Sequence, residues 1–204
     1  MSTDVAYPVF RTPDPELALS MARLLVEFGT EPYSEVSVEA LVSTSAGVGR
    51  MRDALPEAWF RSGTAPCDLG AGRPEPARSV RARDLPYELA GVEEYLPFTV
   101  SVPDQPVGSI EDRFAAVVGP HLGQIRWSLL AWPPAPERDL HGEYKHAEVT
   151  VLFNCDHRDL DSPADTHLVL VHVRRRNGDG YEDRFAAWLA GLIGQEVIGP
   201  PQHV

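Results

Sequence analysis

The stretch Glu111-Asp112-Arg113-Phe114-Ala115-Ala116 occurs again as Glu182-Asp183-Arg184-Phe185-Ala186-Ala187, 71 positions further along a chain of 204 residues. At ordinary composition such a six-residue identity arises by accident in about one chain in a thousand, so a repeated structural unit is the better explanation. The surroundings repeat as well. An apolar, strand-like run precedes each copy (Phe98 to Val102 and Leu168 to Val173), and a Gly-Gln pair follows at the same distance (Gly123-Gln124 and Gly194-Gln195).

Both copies have helical periodicity. Ile110, Phe114, Val117, Val118 and Leu122 form one apolar stripe, and Tyr181, Phe185, Trp188, Leu189, Leu192 and Ile193 form the other. The acidic pair at each start suits the positive end of a helix dipole, and Ser109 is placed to cap the first helix, with Asp112 three residues on. Pro120 lacks the amide hydrogen needed to continue that helix. A strand is expected from Ile125 to Trp132, stopped by Pro133-Pro134, and a short last one from Glu196 to Ile198. Between the two units, residues 147–154 alternate: Ala147, Val149, Val151 and Phe153 fall on one face, Glu148, Thr150 and Asn154 on the other. This order predicts an α+β fold. Its sheet is mixed or antiparallel with helices on one face, built from internally duplicated β-α-β units in a ferredoxin-like, split β-α-β arrangement.

Working outward, residues 1–60 read as an N-terminal β-α-β segment that can belong to the same domain. An apolar run from Val5 to Phe10 leads through a Pro-rich turn to a helix with Leu17, Met21, Leu24, Leu25 and Phe28 on its stripe, ended by Gly29. Residues 34–43 then alternate as a strand. Residues 61–86 are dense in Pro, Gly, Ala and Arg without a period and read as a loop or linker, leaving 87–204 as the duplicated α+β domain.

Net charge is −12, with 9 basic and 15 acidic residues up to Leu96 and the same numbers beyond it, so neither half is a charged tail. An acidic field repels phosphate backbones and anionic membranes and attracts a basic protein, which argues against nucleic-acid and membrane partners. No run approaches the ~20 apolar residues of a membrane helix and the first residues lack a secretory pattern, so a cytoplasmic protein is expected. There Cys67 and Cys155 should stay reduced and unbridged.

No complete hydrolase, phosphate-loop or dinucleotide motif is present, which favours a protein that is not an enzyme. The leading expectation is an acidic cytoplasmic binding protein for a basic protein partner, of inhibitor, neutraliser or immunity type. Its contact residues would be Asp156, Asp159, Asp161 and Asp165, in the densest acidic stretch. No cofactor is required for that role. The alternative is a metal-dependent or small-molecule enzyme using the His/Asp/Glu-rich region 141–172, which holds five of the seven histidines. Imidazole with carboxylate suits zinc or iron, and His146, Glu148 and His172 would converge if the two strands carrying them are neighbours. Arg174, Arg175 and Arg176 form a basic cluster able to bind an anion bidentately, although a solvated strand end is the better explanation. Cys155, two residues before His157, is better explained as a buried core thiol than as a nucleophile.

Overall fold

The computed structural model describes residues 4–62, 79–85, 91–175 and 180–203. Its elements run β1 (Asp4–Thr12), α1 (Pro15–Gly29), β2 (Glu35–Val42), α2 (Ser45–Ala54), β3 (Trp59–Ser62), β4 (Ser79–Arg81), β5 (Phe98–Pro106), α3 (Glu111–Val118), β6 (Leu122–Trp132), β7 (Glu143–Phe153), β8 (His167–Arg174), α4 (Tyr181–Leu192) and β9 (Gln202–His203). The protein is an α+β fold in which the nine strands form one sheet, ordered β4-β3-β5-β2-β6-β7-β8-β1-β9, with every pair antiparallel. Strands from both sides of the 61–86 segment therefore share one sheet. In that order β2 lies between β5 and β6, and β1 lies between β8 and β9.

The alternation read from the sequence sets the two faces of the sheet. Val5, Tyr7, Val38, Val100, Ile125, Val149, Val151 and Val171 all join one buried cluster, together with the inward residues of the four helices. Helix α1 lies across β1, β6, β7 and β8, with Ala18, Ala22, Leu25 and Val26 inward; Asp14 caps it by accepting from the amides of Glu16 and Leu17. Among the described residues the opposite face carries no helix. Near β1, β7 and β8 it is covered instead by residues 154–166, whose Cys155 and Leu160 pack on Ala6, Leu152, Leu168 and Leu170.

Both repeat copies are helices with the phenylalanine inward, Phe114 at 0% and Phe185 at 1% exposure. Their flanks differ in three respects from the expectation. Ser109 does not cap α3. Its hydroxyl donates to the Pro106 carbonyl, and Glu111, itself buried, accepts from the amides of Gly108 (2.7 Å) and Ile110 (3.0 Å) and from the Trp127 indole (3.0 Å). The Gly-Gln pairs serve different ends: Gly123 sits within β6 close to Phe114 and Val118, whereas Gly194, at φ +69°, turns the chain after α4. Finally, residues 196–198 are not a strand. The last strand lies beyond Pro200-Pro201, where Gln202 and His203 pair with Ala6 and Val5. The sequence reading also missed α2, β3 and β4, the last within the 61–86 stretch read as a loop.

Candidate functional site

The three strands β7, β8 and β1 bring polar side chains together on the helix-free face. Glu148 pairs directly with His172, and His172 with Ala6, so Asp4, two residues from Ala6 on the same face, reaches the same imidazole. His172 Nδ1 lies 2.9 Å from Asp4 Oδ2 and 3.9 Å from Glu148 Oε2, while its Nε2 lies 2.9 Å from the Thr150 hydroxyl. Arg158 closes the group with Nη1 3.9 Å from Asp4 Oδ2; that nitrogen is buried and has no hydrogen-bond partner among the described residues. Burial pushes the Asp4 carboxyl up, but the hydrogen bond and charge of His172, its own backbone amide and Arg158 together outweigh this and hold it below the usual carboxylate range. An ionised carboxylate only accepts, so His172 Nδ1 is the donor in the 2.9 Å contact.

Of the residues expected to converge on a metal, Glu148 and His172 do meet. His146, on β7 two residues from Glu148, is outside the group, and Asp4 takes the third place: the ligand atoms of Asp4, Glu148 and His172 all lie within 4.8 Å of one another. Asp4 was invisible in the sequence because 168 positions separate it from His172. The available signal was its alternation with Ala6 at the head of an apolar run. His167 lies on the helix side, its ring 5.5 Å from Phe153, and its Nδ1 accepts from the Asn154 amide. It cannot join His172, because five residues of strand separate opposite faces.

The acidic loop is a fixed structure. The Asp156 amide donates to the Ser162 carbonyl, the Ala164 amide to the Asn154 carbonyl, and Gln202 Nε2 to the Asp156 carbonyl. Leu160, at φ +56°, anchors the loop in the apolar cluster, and the Cys155 thiol donates to the His157 carbonyl. Asp156 forms an ion pair with Arg11, which also donates to Thr166. Asp159 and Asp161 flank His157 Nδ1 at 3.6 Å each, with side chains 72% and 70% exposed, and Asp165 is exposed. A cleft of about 620 Å³ lined by Pro8, Arg11, Asp156, His157, Ile198 and Gln202 adjoins the loop. Arg174 and Arg175 are exposed, whereas Arg176 lies outside the described residues. Cys155 is a buried free thiol, and Cys67 lies outside the described residues. No helix among the described residues is long and apolar enough to cross a membrane.

Two other buried histidines make stability depend on pH. Burial, reinforced by Arg50, lowers the affinity of His121 for a proton; burial also lowers that of His167, against the opposing effects of the Pro13 carbonyl and Asp14. A depressed folded-state value means that the unfolded chain binds more protons, so stability is full above the ordinary value of 6.5 and falls as pH drops below it. Urea midpoints should decline from pH 7.5 to pH 5, and His167→Gln should flatten that decline. A midpoint flat over this interval would show that neither imidazole is held neutral.

No family model, curated protein or solved structure matches the chain significantly.

Proposed function

We propose that this chain is an acidic binding protein that engages a basic protein partner, as an inhibitor, neutraliser or immunity-type protein acting in the cytoplasm. The carrying observation is the loop between β7 and β8: its backbone is fixed at both ends and its apolar anchor is buried, yet Asp159, Asp161 and Asp165 stay exposed. Carboxylates held in place before binding lose little freedom on association, and the net charge of −12 adds long-range attraction. The adjoining cleft offers apolar walls at Pro8 and Ile198 beside Asp156 and His157 at the start of the same loop, the combination that interface anchors use. Asp156 has a different part. Tied to Arg11, it holds the loop, and the contact role passes to the other three.

We read the sheet behind this surface as two ferredoxin-like units. Strands β3-β5-β2-β6 with α2 and α3 make one, and β7-β8-β1-β9 with α1 and α4 make the other, joined edge to edge through β6 and β7. On this reading the first unit is inserted into the second between α1 and β7. Each six-residue repeat then opens the second helix of its unit, which supports duplication.

The test uses the full chain immobilised against native lysate. A captured basic protein should elute as salt rises, because exposed charges act over a Debye length of about 8 Å at physiological ionic strength. The triple variant Asp159→Asn, Asp161→Asn and Asp165→Asn should slow association by about tenfold at low salt without changing the unfolding midpoint appreciably. Equal association rates for the variant and the natural chain would remove the loop from the interface.

A further inference from the structure

We propose that Asp4, Glu148 and His172 form a zinc site, with His172 Nδ1 as the nitrogen ligand and the two carboxylates as oxygen ligands. The inference stands apart from the partner reading, since it uses neither the exposed loop carboxylates nor the cleft. Three neighbouring strands supply the donors, and sheet register holds them: Glu148 opposite His172, His172 opposite Ala6, and Asp4 alternating with Ala6. Both carboxylates face the same ring nitrogen, at 2.9 and 3.9 Å. One imidazole with two carboxylates leaves an open position on a tetrahedral ion. The mixed nitrogen and oxygen set favours zinc over magnesium, which retains water and prefers oxygen.

The surrounding groups fit the same assignment. His172 is 1% exposed, and the indole of buried Trp132 donates to its carbonyl at 2.8 Å, so the ring position is fixed. To bind an ion, Nδ1 must give up its proton and Nε2 must carry one. Thr150 permits this because a hydroxyl either donates to or accepts from Nε2 at 2.9 Å. Its hydroxyl is not a substitute nucleophile, since Thr150 is itself 1% exposed. Asp4 and Glu148 side chains keep 15% and 23% exposure, which gives an ion a way in. Arg158 Nη1, buried beside Asp4 and without a hydrogen-bond partner among the described residues, is a donor left over for an anion or water in the open position.

Calorimetric titration of the full chain with zinc chloride should show one site of micromolar affinity or better, and no comparable uptake of magnesium. Glu148 lies furthest from the imidazole and is part-exposed, so Glu148→Gln should fold normally yet bind zinc at least about tenfold more weakly. His146→Gln and the double variant Asp159→Asn, Asp161→Asn should bind as the natural chain does. Nitrogen NMR of the His172 ring should show the proton move from Nδ1 to Nε2 on loading. Absence of saturable zinc uptake, equal uptake by folded Glu148→Gln, or loss of uptake in the His146 or loop variants would overturn the assignment.

Discussion

Replacing Phe114 or Phe185 by alanine will lower the unfolding free energy by about 3–5 kcal/mol, the loss typical of a large ring removed from a core that cannot close. Both rings have essentially no exposure, but their surroundings differ. Phe114 meets Phe153 edge to face at 5.9 Å, and the backbone of Gly123 in β6 comes so near that a Cβ there would stand 3.0 Å from the ring. A strand in the middle of a sheet cannot move in to fill the space, so this site should show the upper part of the range. Phe185 lies edge to face with Tyr181 at 5.7 Å and stacks on Trp188 at 5.6 Å. Trp188 is only half-buried and can shift inward, which places Phe185→Ala lower in the range. Urea unfolding followed by tryptophan fluorescence and circular dichroism measures both. Losses below about 1 kcal/mol would show that the repeated phenylalanine is not what fixes its helix to the sheet.

The parts legible in the sequence were those in which local pattern and final burial agree. Helices α1, α3 and α4 carry continuous apolar stripes, and β2 and β7 alternate cleanly, so period alone placed them. Helix α2 was missed because Ser45–Ala54 holds two glycines and buries only Gly47, Val48 and Met51; its stability comes from packing on α3 rather than from its own sequence. Strand β9 was misplaced because its two residues are strand only through their pairing with Val5 and Ala6, contacts spanning nearly the whole chain. The candidate site was half legible for the same reason. Glu148 and His172 were visible as polar positions on neighbouring strands, whereas Asp4 and Arg158 enter from β1 and from a loop, and no local pattern links them. Glu111 shows the reverse case. Its place at a helix start was apparent, but only the fold reveals that it is buried and serves three donors.

Gly47→Ala should destabilise the protein by about 1–3 kcal/mol, against the sign that helix propensity gives. Alanine in place of a helical glycine ordinarily gains up to about 1 kcal/mol, and nothing in the backbone requires glycine here, since the residue lies in the first turn of α2. Space decides the sign. A Cβ at position 47 would stand 2.2 Å from His121 Nε2, 2.9 Å from His121 Cε1 and 2.8 Å from Val42 Cγ1. His121 is buried, with Nε2 lacking a hydrogen-bond partner among the described residues, and its backbone is held by Val118 and Asn154, so the ring can move aside only by displacing its packed neighbours. The clash therefore forces either α2 away from β2 or the imidazole out of its seat. His121→Ala removes the obstructing ring, and on that background Gly47→Ala should cost less than it does in the natural chain, a coupling that a double-mutant cycle in urea measures directly. Additive losses would mean that Val42 or the helix backbone, rather than His121, sets the limit. A gain in stability from Gly47→Ala alone would show that α2 does not sit as closely on His121 as the 2.2 Å approach requires.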